Sequence, residues 1–162
     1  CRLGWNTKHW HQTRTRGFDV SLSGPHVWKK RILVILGIGI DSVEIHRFNN
    51  WHSYSTKKLK KVFTQHEIDY CLSCKAKSAE RFAVRFAAKE AFYKALCSFI
   101  PKTKISFFSM CKQASIRNTY SAPTLITDKS ISENLPTKTK MHLSLTHSKT
   151  TATATIIVEA IK

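Results

Sequence analysis

The sequence has 162 residues, a formal net charge of +17 and 42% hydrophobic residues. This length fits one compact domain with a single core and excludes a second domain of normal size beside it. The charge gives the surface a strong positive potential that attracts phosphates, acidic proteins or nucleic acid, and charge alone does not choose among these partners.

Residues 1–31 form a basic stretch without a clear hydrophobic period. They contain seven Lys or Arg, one acid and three Trp, which predicts an irregular extension before a domain at residues 32–162. The stretch loosely matches an organellar transit peptide, or an upstream region translated from a misplaced start. The domain is basic without it, because subtracting +6 from +17 leaves +11.

Cysteine usage and hydropathy indicate a soluble protein in a reducing compartment. The five cysteines are too few and too irregularly placed for a disulfide framework. Residues 32–40, the longest apolar run, are far fewer than the roughly 20 needed to cross a bilayer as a helix. We therefore expect the cytoplasm, or an organelle if residues 1–31 are a transit segment, and no membrane partner.

The run at residues 32–40 is β-branched and apolar on both faces, which predicts a buried strand that ends abruptly at Asp41. Gly37 and Gly39 allow a ligand to approach the backbone closely. Asp41 would then stand where a sheet edge meets a loop. Taken alone, an aspartate in that position is more often a turn former or a helix cap.

A short basic helix is predicted at residues 55–63. It carries four lysines, namely Lys57, Lys58, Lys60 and Lys61. Together with nearby Trp51 and Tyr54 these lysines could form a nucleic-acid patch, although a solvated helix face explains them equally well.

A second helix should begin at the capping box of Thr64 and Glu67 and run to about Cys74. Cys71 and Cys74 have the spacing of a zinc or redox pair. No second pair completes a tetrahedral site, so we interpret them as packing residues.

Residues 78–97 predict the clearest helix of the chain, rich in Ala, Lys, Arg and Glu. Helical spacing places Glu90 on a small, apolar face, where an ionised carboxylate needs a partner. Lys94, one turn later, could form an ordinary ion pair with it. Asp41 adds a second carboxylate, and two carboxylates with phosphate oxygens are typical of a Mg²⁺ site.

The last third of the sequence predicts a strand at residues 105–110, a poorly patterned stretch at 111–139 and a terminal hairpin. In the hairpin, alternating segments at residues 141–146 and 152–158 flank a turn at 147–150. These elements favour an α+β fold, with helices packed on a small antiparallel sheet.

Polar side chains at the end of the first hairpin strand suit phosphate oxygens and ribose. They are the hydroxyls of Ser144 and Thr146 and the imidazole of His147. Alternating Ser and Thr are also common on an ordinary hairpin surface.

Three blocks of the sequence resemble, in order and spacing, the holo-acyl-carrier-protein synthase branch of the 4′-phosphopantetheinyl transferase family. They are residues 37–45 (GIGIDSVEI), 81–95 (RFAVRFAAKEAFYKA) and 143–147 (LSLTH). The similarity covers roughly residues 35–159, and the middle block is the most specific. The chain departs from the family pattern at Ile40, commonly Thr, and at Lys149, near which an acid is usual.

The resemblance implies a 4′-phosphopantetheinyl transferase-like fold and a set of site residues. Asp41 and Glu90 would hold Mg²⁺ against the diphosphate of coenzyme A, Lys94 would contact phosphate, and these three would be the catalytic residues. Family members are trimers with active sites between subunits. The resemblance and the chemistry of the hairpin together predict that coenzyme A is bound by Lys94, Ser144, Thr146 and His147.

The implied reaction moves the 4′-phosphopantetheine arm of coenzyme A to a serine of an acyl carrier protein and releases 3′,5′-ADP, as in fatty acid biosynthesis. Either Asp41 or a metal-bound hydroxide could take the serine proton. The carrier protein would dock on a basic surface, which we call the lysine segment, formed by Arg47, Lys57, Lys58, Lys60 and Lys61.

Two alternatives remain open at the level of the sequence. One is a nucleic-acid-binding protein whose charge is its whole function, which predicts that loss of Asp41 or Glu90 leaves binding intact. The other is a degenerate family member that binds coenzyme A without transferring it, and intact Asp41, Glu90 and Lys94 argue against that.

Overall fold

The structure is a computed structural model of the chain and describes residues 33–100, 105–119, 122–135 and 138–161. The extension predicted at residues 1–31 lies outside these ranges, so its boundary with the domain stays a prediction. The described residues belong to one compact unit, Arg31–Lys162. Within the described ranges, no helix combines the length and the apolar character that a bilayer span requires.

Strands and helices alternate irregularly along the described ranges and make an α+β fold, which confirms the predicted class. Three short 3₁₀ turns, Ile45–Phe48, Trp51–Ser53 and Lys75–Lys77, connect the first elements. The strands are β1 (Leu33–Glu44), β2 (Ala114–Asn118), β3 (Pro123–Thr127), β4 (Thr139–His147) and β5 (Thr151–Ile161). The helices are α1 (Thr56–Leu59), α2 (Gln65–Leu72), α3 (Ser78–Phe99), α4 (Phe107–Gln113) and α5 (Lys129–Ser132).

The main sheet has three antiparallel strands in the order β1-β5-β4, and α3 packs against one of its faces. The predicted terminal hairpin is therefore confirmed as β4 and β5. Along β5 every second residue from Ala152 to Val158 is fully buried beneath the helix. β2 and β3 form a separate two-stranded sheet.

The outer face of β1 is exposed, so the prediction of a strand buried on both faces is wrong. Ile35, Ile38 and Ile40 are 55%, 56% and 61% exposed. The physical reason is that α3 covers one face of the main sheet, while nothing among the described residues covers the other. We call this exposed row of three side chains the isoleucine face.

The backbone of β1 lies directly against α3. A Cβ atom built on Gly39 would overlap the carbonyl oxygen of Ala91, and one on Gly37 would overlap that of Ala95. Only glycine fits such a close approach of strand to helix. The two glycines therefore set how closely β1 packs against α3.

The predicted capping box starts α2. The backbone N–H of Thr64 donates to Glu67 Oε2 at 2.8 Å, and the Thr64 hydroxyl accepts from the Glu67 N–H at 3.5 Å. The box is confirmed, and the helix ends two residues before the predicted Cys74.

Glu67 also belongs to a buried ion pair that the sequence did not reveal. Lys89 Nζ lies 3.0 Å from Glu67 Oε2, and both side chains have no exposed surface. Lys89 donates further to the carbonyl oxygens of Cys111 at 2.7 Å and Ala114 at 2.6 Å. Glu67 Oε1 accepts from the backbone N–H of Ile116 at 3.0 Å. The pair thus ties α2 and α3 to the junction of α4 and β2.

The strand predicted at residues 105–110 is wrong, because α4 occupies most of this segment. The Ser106 hydroxyl accepts from the Ser109 N–H at 3.2 Å and caps the helix. The ammonium group of Lys89 donates to the Cys111 carbonyl oxygen in the last turn of α4. An N-cap side chain and a cation at the carbonyl end both stabilise a short helix. Here the cation comes from α3, far away in the sequence.

We expect Lys89→Met to lower the free energy of unfolding by about 3–5 kcal/mol, because it leaves the Glu67 carboxylate buried and unpaired. Urea denaturation followed by circular dichroism measures this change. The double variant Glu67→Gln with Lys89→Met should recover part of the loss, since a neutral side-chain oxygen still accepts from Ile116. Lys112→Met, at an exposed lysine of α4, is the matched control and should stay within about 0.5 kcal/mol of the parent. A loss in Lys89→Met no larger than in this control would contradict the prediction.

Candidate active site

Three charged side chains from β1 and α3 meet on the helix-covered side of the main sheet. Lys94 Nζ lies 2.7 Å from Asp41 Oδ1 and also donates to the Ile40 carbonyl oxygen at 3.3 Å. Glu90 lies one turn before Lys94 on α3 and interacts with the Asp41 carboxyl group. We call Asp41, Glu90 and Lys94 the acidic cluster.

Asp41 lies within β1, three residues before its end at Glu44, and not at the strand end that the sequence predicts. Its cross-strand neighbour on β5 is Ala154, a fully buried residue, so the carboxylate points toward α3. The strand continues past Asp41 because residues 42–44 still pair with β5.

One oxygen of Asp41 receives no hydrogen bond among the described residues while Glu90 is ionised. The side chain is 8% exposed, and its buried Oδ2 atom then has no donor. A buried acceptor left unsatisfied is costly, so such an atom marks a place where a donor or a cation binds.

The two carboxyl groups of the cluster repel each other. Burial, then the negative charge of Asp41 and a hydrogen bond with its carboxyl group, raise the pKa of Glu90 above its ordinary value. The charges of Lys94 and Arg47 act on the same pKa in the opposite direction. A cation beside both carboxylates would therefore be bound favourably.

Lys94 binds Asp41 on another strand, whereas the simplest interpretation of the sequence pairs it with Glu90 one turn away. A hydrogen bond with Asp41 and the charges of Asp41 and Glu90 raise the pKa of Lys94, so the ammonium group remains charged. The partner is decided by the packing of β1 on α3, which brings Asp41 closer than the local helical neighbour.

The oxygen ligands of the cluster fit a hard divalent cation. No group of three or more His, Cys, Asp or Glu side chains suited to a metal occurs in the part of the chain that the structure describes. Mg²⁺ needs no such cage, because it usually keeps waters and takes one or two carboxylates together with substrate phosphates. Cys71 does not offer a thiolate, since burial raises its pKa to about 12.

A second polar region lies toward the other end of α3. His147, at the end of β4, has its Nε2 atom 3.3 Å from Glu80 Oε1. Glu80 and Glu90 are ten residues apart on one helix, a separation of about 15 Å along the axis. Within one chain, therefore, His147 and the acidic cluster do not share a site.

His147 lines an open cavity of about 410 Å³ together with a pair of arginines. The guanidinium groups of Arg81 and Arg85 lie 4.3 and 3.9 Å from the centroid of the Tyr70 ring. Arg81 also donates to the Tyr70 carbonyl oxygen at 2.7 Å. Arg85 is 4% exposed, yet its Nε atom has no partner among the described residues.

An unpaired, buried guanidinium donor at the wall of a cavity is typical of an anion site. The sequence analysis did not select Arg81, Arg85 or Tyr70. The available signal was the i,i+4 spacing of the two arginines, which puts them on one face of α3.

Ser144 and Thr146 lie on the opposite face of the main sheet from Asp41. Ser144 is level with Ile40 across the sheet, and both side chains belong to the exposed face. The structure thus separates these two hydroxyls from His147, which lies on the helix-covered side.

The predicted docking residues are exposed, and the four lysines among them lie on or directly after α1. Arg47 lies in the turn after β1, near enough to the cluster for its charge to act on the pKa of Glu90. Lys58 Nζ lies 3.3 Å from the centroid of the Tyr54 ring. The lysines at positions 57, 60 and 61 are also exposed.

Comparison with known proteins finds relatives along most of the chain. Residues 37–156 match the profile of the 4′-phosphopantetheinyl transferase superfamily. A holo-[acyl-carrier-protein] synthase of Treponema denticola is 38% identical over 128 residues, covering 78% of this chain and 99% of that protein. Another from Chlamydia trachomatis is 36% identical over 126 residues, covering 77% of this chain and 100% of that protein.

Solved structures of similar shape agree with these matches. A holo-(acyl-carrier-protein) synthase of Bacillus anthracis in complex with CoA (3′,5′-ADP) has a TM-score of 0.60 and 32% identity, covering 78% of this chain and 97% of that chain. An acyl carrier protein synthase of Mycobacterium tuberculosis has a TM-score of 0.59 and 28% identity, covering 78% of this chain and 99% of that chain. The fold and the sequence blocks therefore point to the same relatives.

Proposed function

The chain belongs to the 4′-phosphopantetheinyl transferase superfamily, and from this we propose that it acts as a holo-acyl-carrier-protein synthase. It transfers the 4′-phosphopantetheine group of coenzyme A to a serine of apo-acyl carrier protein and releases 3′,5′-ADP. The observation that carries the proposal is the acidic cluster, where Asp41, Glu90 and Lys94 meet. A protein that only binds nucleic acid gains nothing from two mutually repelling carboxyl groups placed side by side.

Asp41 and Glu90 are the proposed ligands of Mg²⁺, and the unpaired Oδ2 of Asp41 supports this assignment. When bound, the ion would supply positive charge that neutralises the diphosphate of coenzyme A. Lys94 and Arg47 add their own positive charges beside the same phosphates. Stabilising negative charge in this way is a large part of catalysis in phosphoryl transfer.

The chemical step exchanges one P–O bond for another. The carrier serine oxygen attacks the β-phosphorus, the bond from that phosphorus to the bridging oxygen breaks, and 3′,5′-ADP leaves. Asp41 is a candidate for the group that takes the serine proton, through the carboxylate oxygen that the cation leaves free.

The cavity beside His147 is the proposed site for the nucleotide end of coenzyme A. Arg85 would donate its unpaired Nε–H to a phosphate, Arg81 would add positive charge, and His147 would add a hydrogen bond. Ser144 and Thr146 remain proposed contacts of coenzyme A, and their position on the outer face requires a second subunit to bring them near the ligand.

We propose a homotrimer in which two neighbouring chains build each active site. The acidic cluster of one chain would face the His147 cavity of the next, which removes the separation of about 15 Å along one helix. The isoleucine face supports association, because a row of exposed apolar side chains favours burial against another chain. The cytoplasm is the proposed location, on the cysteine pattern of the sequence.

The lysine segment is the proposed dock for the carrier protein. Its exposed cations attract an acidic partner over a long range and govern the rate of encounter more than the lifetime of the complex.

We expect Asp41→Asn and Glu90→Gln each to reduce transfer by about 100-fold or more while the protein stays folded, because each removes a charged ligand and keeps the side-chain shape. Mass spectrometry of apo-acyl carrier protein after incubation with coenzyme A and Mg²⁺ measures the transfer. Asp69→Asn and Glu133→Gln make the same chemical changes at exposed positions and should keep full activity. Near-normal transfer by either cluster variant would rule out the site assignment.

Ile38→Lys should dissociate the trimer and reduce transfer even though the acidic cluster is untouched, because it places a charge in the isoleucine face. Light scattering measures the mass, and the parent protein should have that of three chains. Ile126→Lys is the matched control, since Ile126 is 41% exposed on β3 and outside the main sheet. A parent protein that is monomeric at micromolar concentration would contradict the proposal.

Reversing two charges in Lys57→Glu with Lys60→Glu should raise the KM for carrier protein and leave that for coenzyme A nearly unchanged. The defect should shrink with added salt, because the Debye length falls from about 10 Å at 0.1 M to about 3 Å at 1 M. Lys129→Glu with Lys138→Glu changes the net charge equally at exposed positions in α5 and just before β4 and serves as control. An equal rise in both KM values would place these lysines at the nucleotide instead.

A further inference from the structure

Lys94 binds the carboxylate at which a cation is expected to bind. Its ammonium group lies 2.7 Å from Asp41 Oδ1 and compensates a carboxylate that is 92% removed from solvent. The lysine side chain itself is 55% exposed. The carboxylate is therefore held by the strand, while the lysine reaches it along a flexible stem that can take other positions.

A divalent cation on Oδ2 of Asp41 and the ammonium group of Lys94 on Oδ1 would share one carboxylate. Two positive charges bound to one carboxylate would lie only a few ångströms apart, where they repel each other. The carboxylate of Glu90 offsets part of this repulsion, but Arg47 adds a further positive charge on the same side. Binding of the cation thus weakens the contact between Lys94 and Asp41 and favours another partner for the lysine.

We propose that Lys94 compensates the charge of Asp41 in the free protein and transfers to the diphosphate when the cation binds, so that cation and coenzyme A bind cooperatively. This inference rests on the proposed function, because it takes the diphosphate as the acceptor of the released ammonium group. A cation that binds alone is opposed by the ammonium group on Asp41. With coenzyme A present, the phosphate oxygens replace Asp41 as partner of Lys94.

The coupling must be reciprocal. If coenzyme A strengthens the binding of the cation by some factor, the cation strengthens the binding of coenzyme A by the same factor. Part of this factor comes from direct attraction between the cation and phosphate. The rest of the coupling factor depends on Lys94 and disappears when the lysine is removed. The decrease therefore separates the contribution of Lys94 from the direct attraction between cation and phosphate.

The test measures Mn²⁺ binding by electron paramagnetic resonance, with and without coenzyme A, so no turnover is needed. Lys94→Met removes the ammonium group, and Lys94→Gln is measured in parallel so that the result does not depend on one variant. Lys94→Arg keeps the charge, Lys112→Met removes an exposed lysine elsewhere, and Asp41→Asn defines binding outside the site.

Without coenzyme A, Lys94→Met and Lys94→Gln should bind Mn²⁺ about fivefold more tightly than the parent, the upper end of what a partly exposed ion pair contributes. The factor by which coenzyme A strengthens Mn²⁺ binding should fall by the same amount. Lys112→Met should behave like the parent, and Lys94→Arg should lie closer to the parent than to Lys94→Met, because it keeps the charge.

Equal or weaker Mn²⁺ binding in the charge-removing variants would overturn the proposal, as would an unchanged coupling factor or an equal gain in Lys112→Met. Absence of site-specific Mn²⁺ binding in every protein would overturn it as well. Failure of the proposed function would be seen separately, as a parent protein that does not modify apo-acyl carrier protein.

Discussion

The contact between the backbone of β1 and the helix α3 is the constraint on which the site depends. Gly37 and Gly39 allow it, because any side chain there would overlap the helix carbonyls of Ala95 and Ala91. With the strand seated this closely, Asp41 comes within 2.7 Å of the ammonium group of Lys94. A wider spacing would leave two exposed charges that water separates and whose interaction is weak.

The same helix carries three different environments on successive turns. Arg85 lies at the anion cavity, Lys89 is buried against Glu67 in the core, and Glu90 and Lys94 belong to the acidic cluster. The ion pair holds α3 against α2, and three further hydrogen bonds join Lys89 and Glu67 to the backbone at the end of α4 and the start of β2. Because α3 is anchored at its centre, the positions of the groups on either side of Lys89 are set together.

Charge has two roles in this protein that act over different distances. The net charge of +17 creates a long-range field that draws acidic partners and phosphates from solution. Inside the acidic cluster, burial and the neighbouring carboxyl group of Asp41 raise the pKa of Glu90. A cation and a diphosphate entering together relieve this local repulsion, which is the physical basis for the coupling that we infer.

The sequence by itself determined the features that depend on neighbours in the chain. The capping box of Thr64 and Glu67, the long helix α3 and the terminal hairpin follow from local patterns and are present as predicted. The motif around Asp41 and that around Glu90 also led to the family, because residue types at fixed spacing carry that information. Tertiary structure alone decided that Lys94 binds Asp41 and not Glu90, that α4 replaces a predicted strand, and that one face of β1 is exposed. Each of these outcomes depends on which other element packs against the segment concerned. Positions 41 and 94 are far apart in the sequence, and local sequence patterns do not encode which distant positions come into contact.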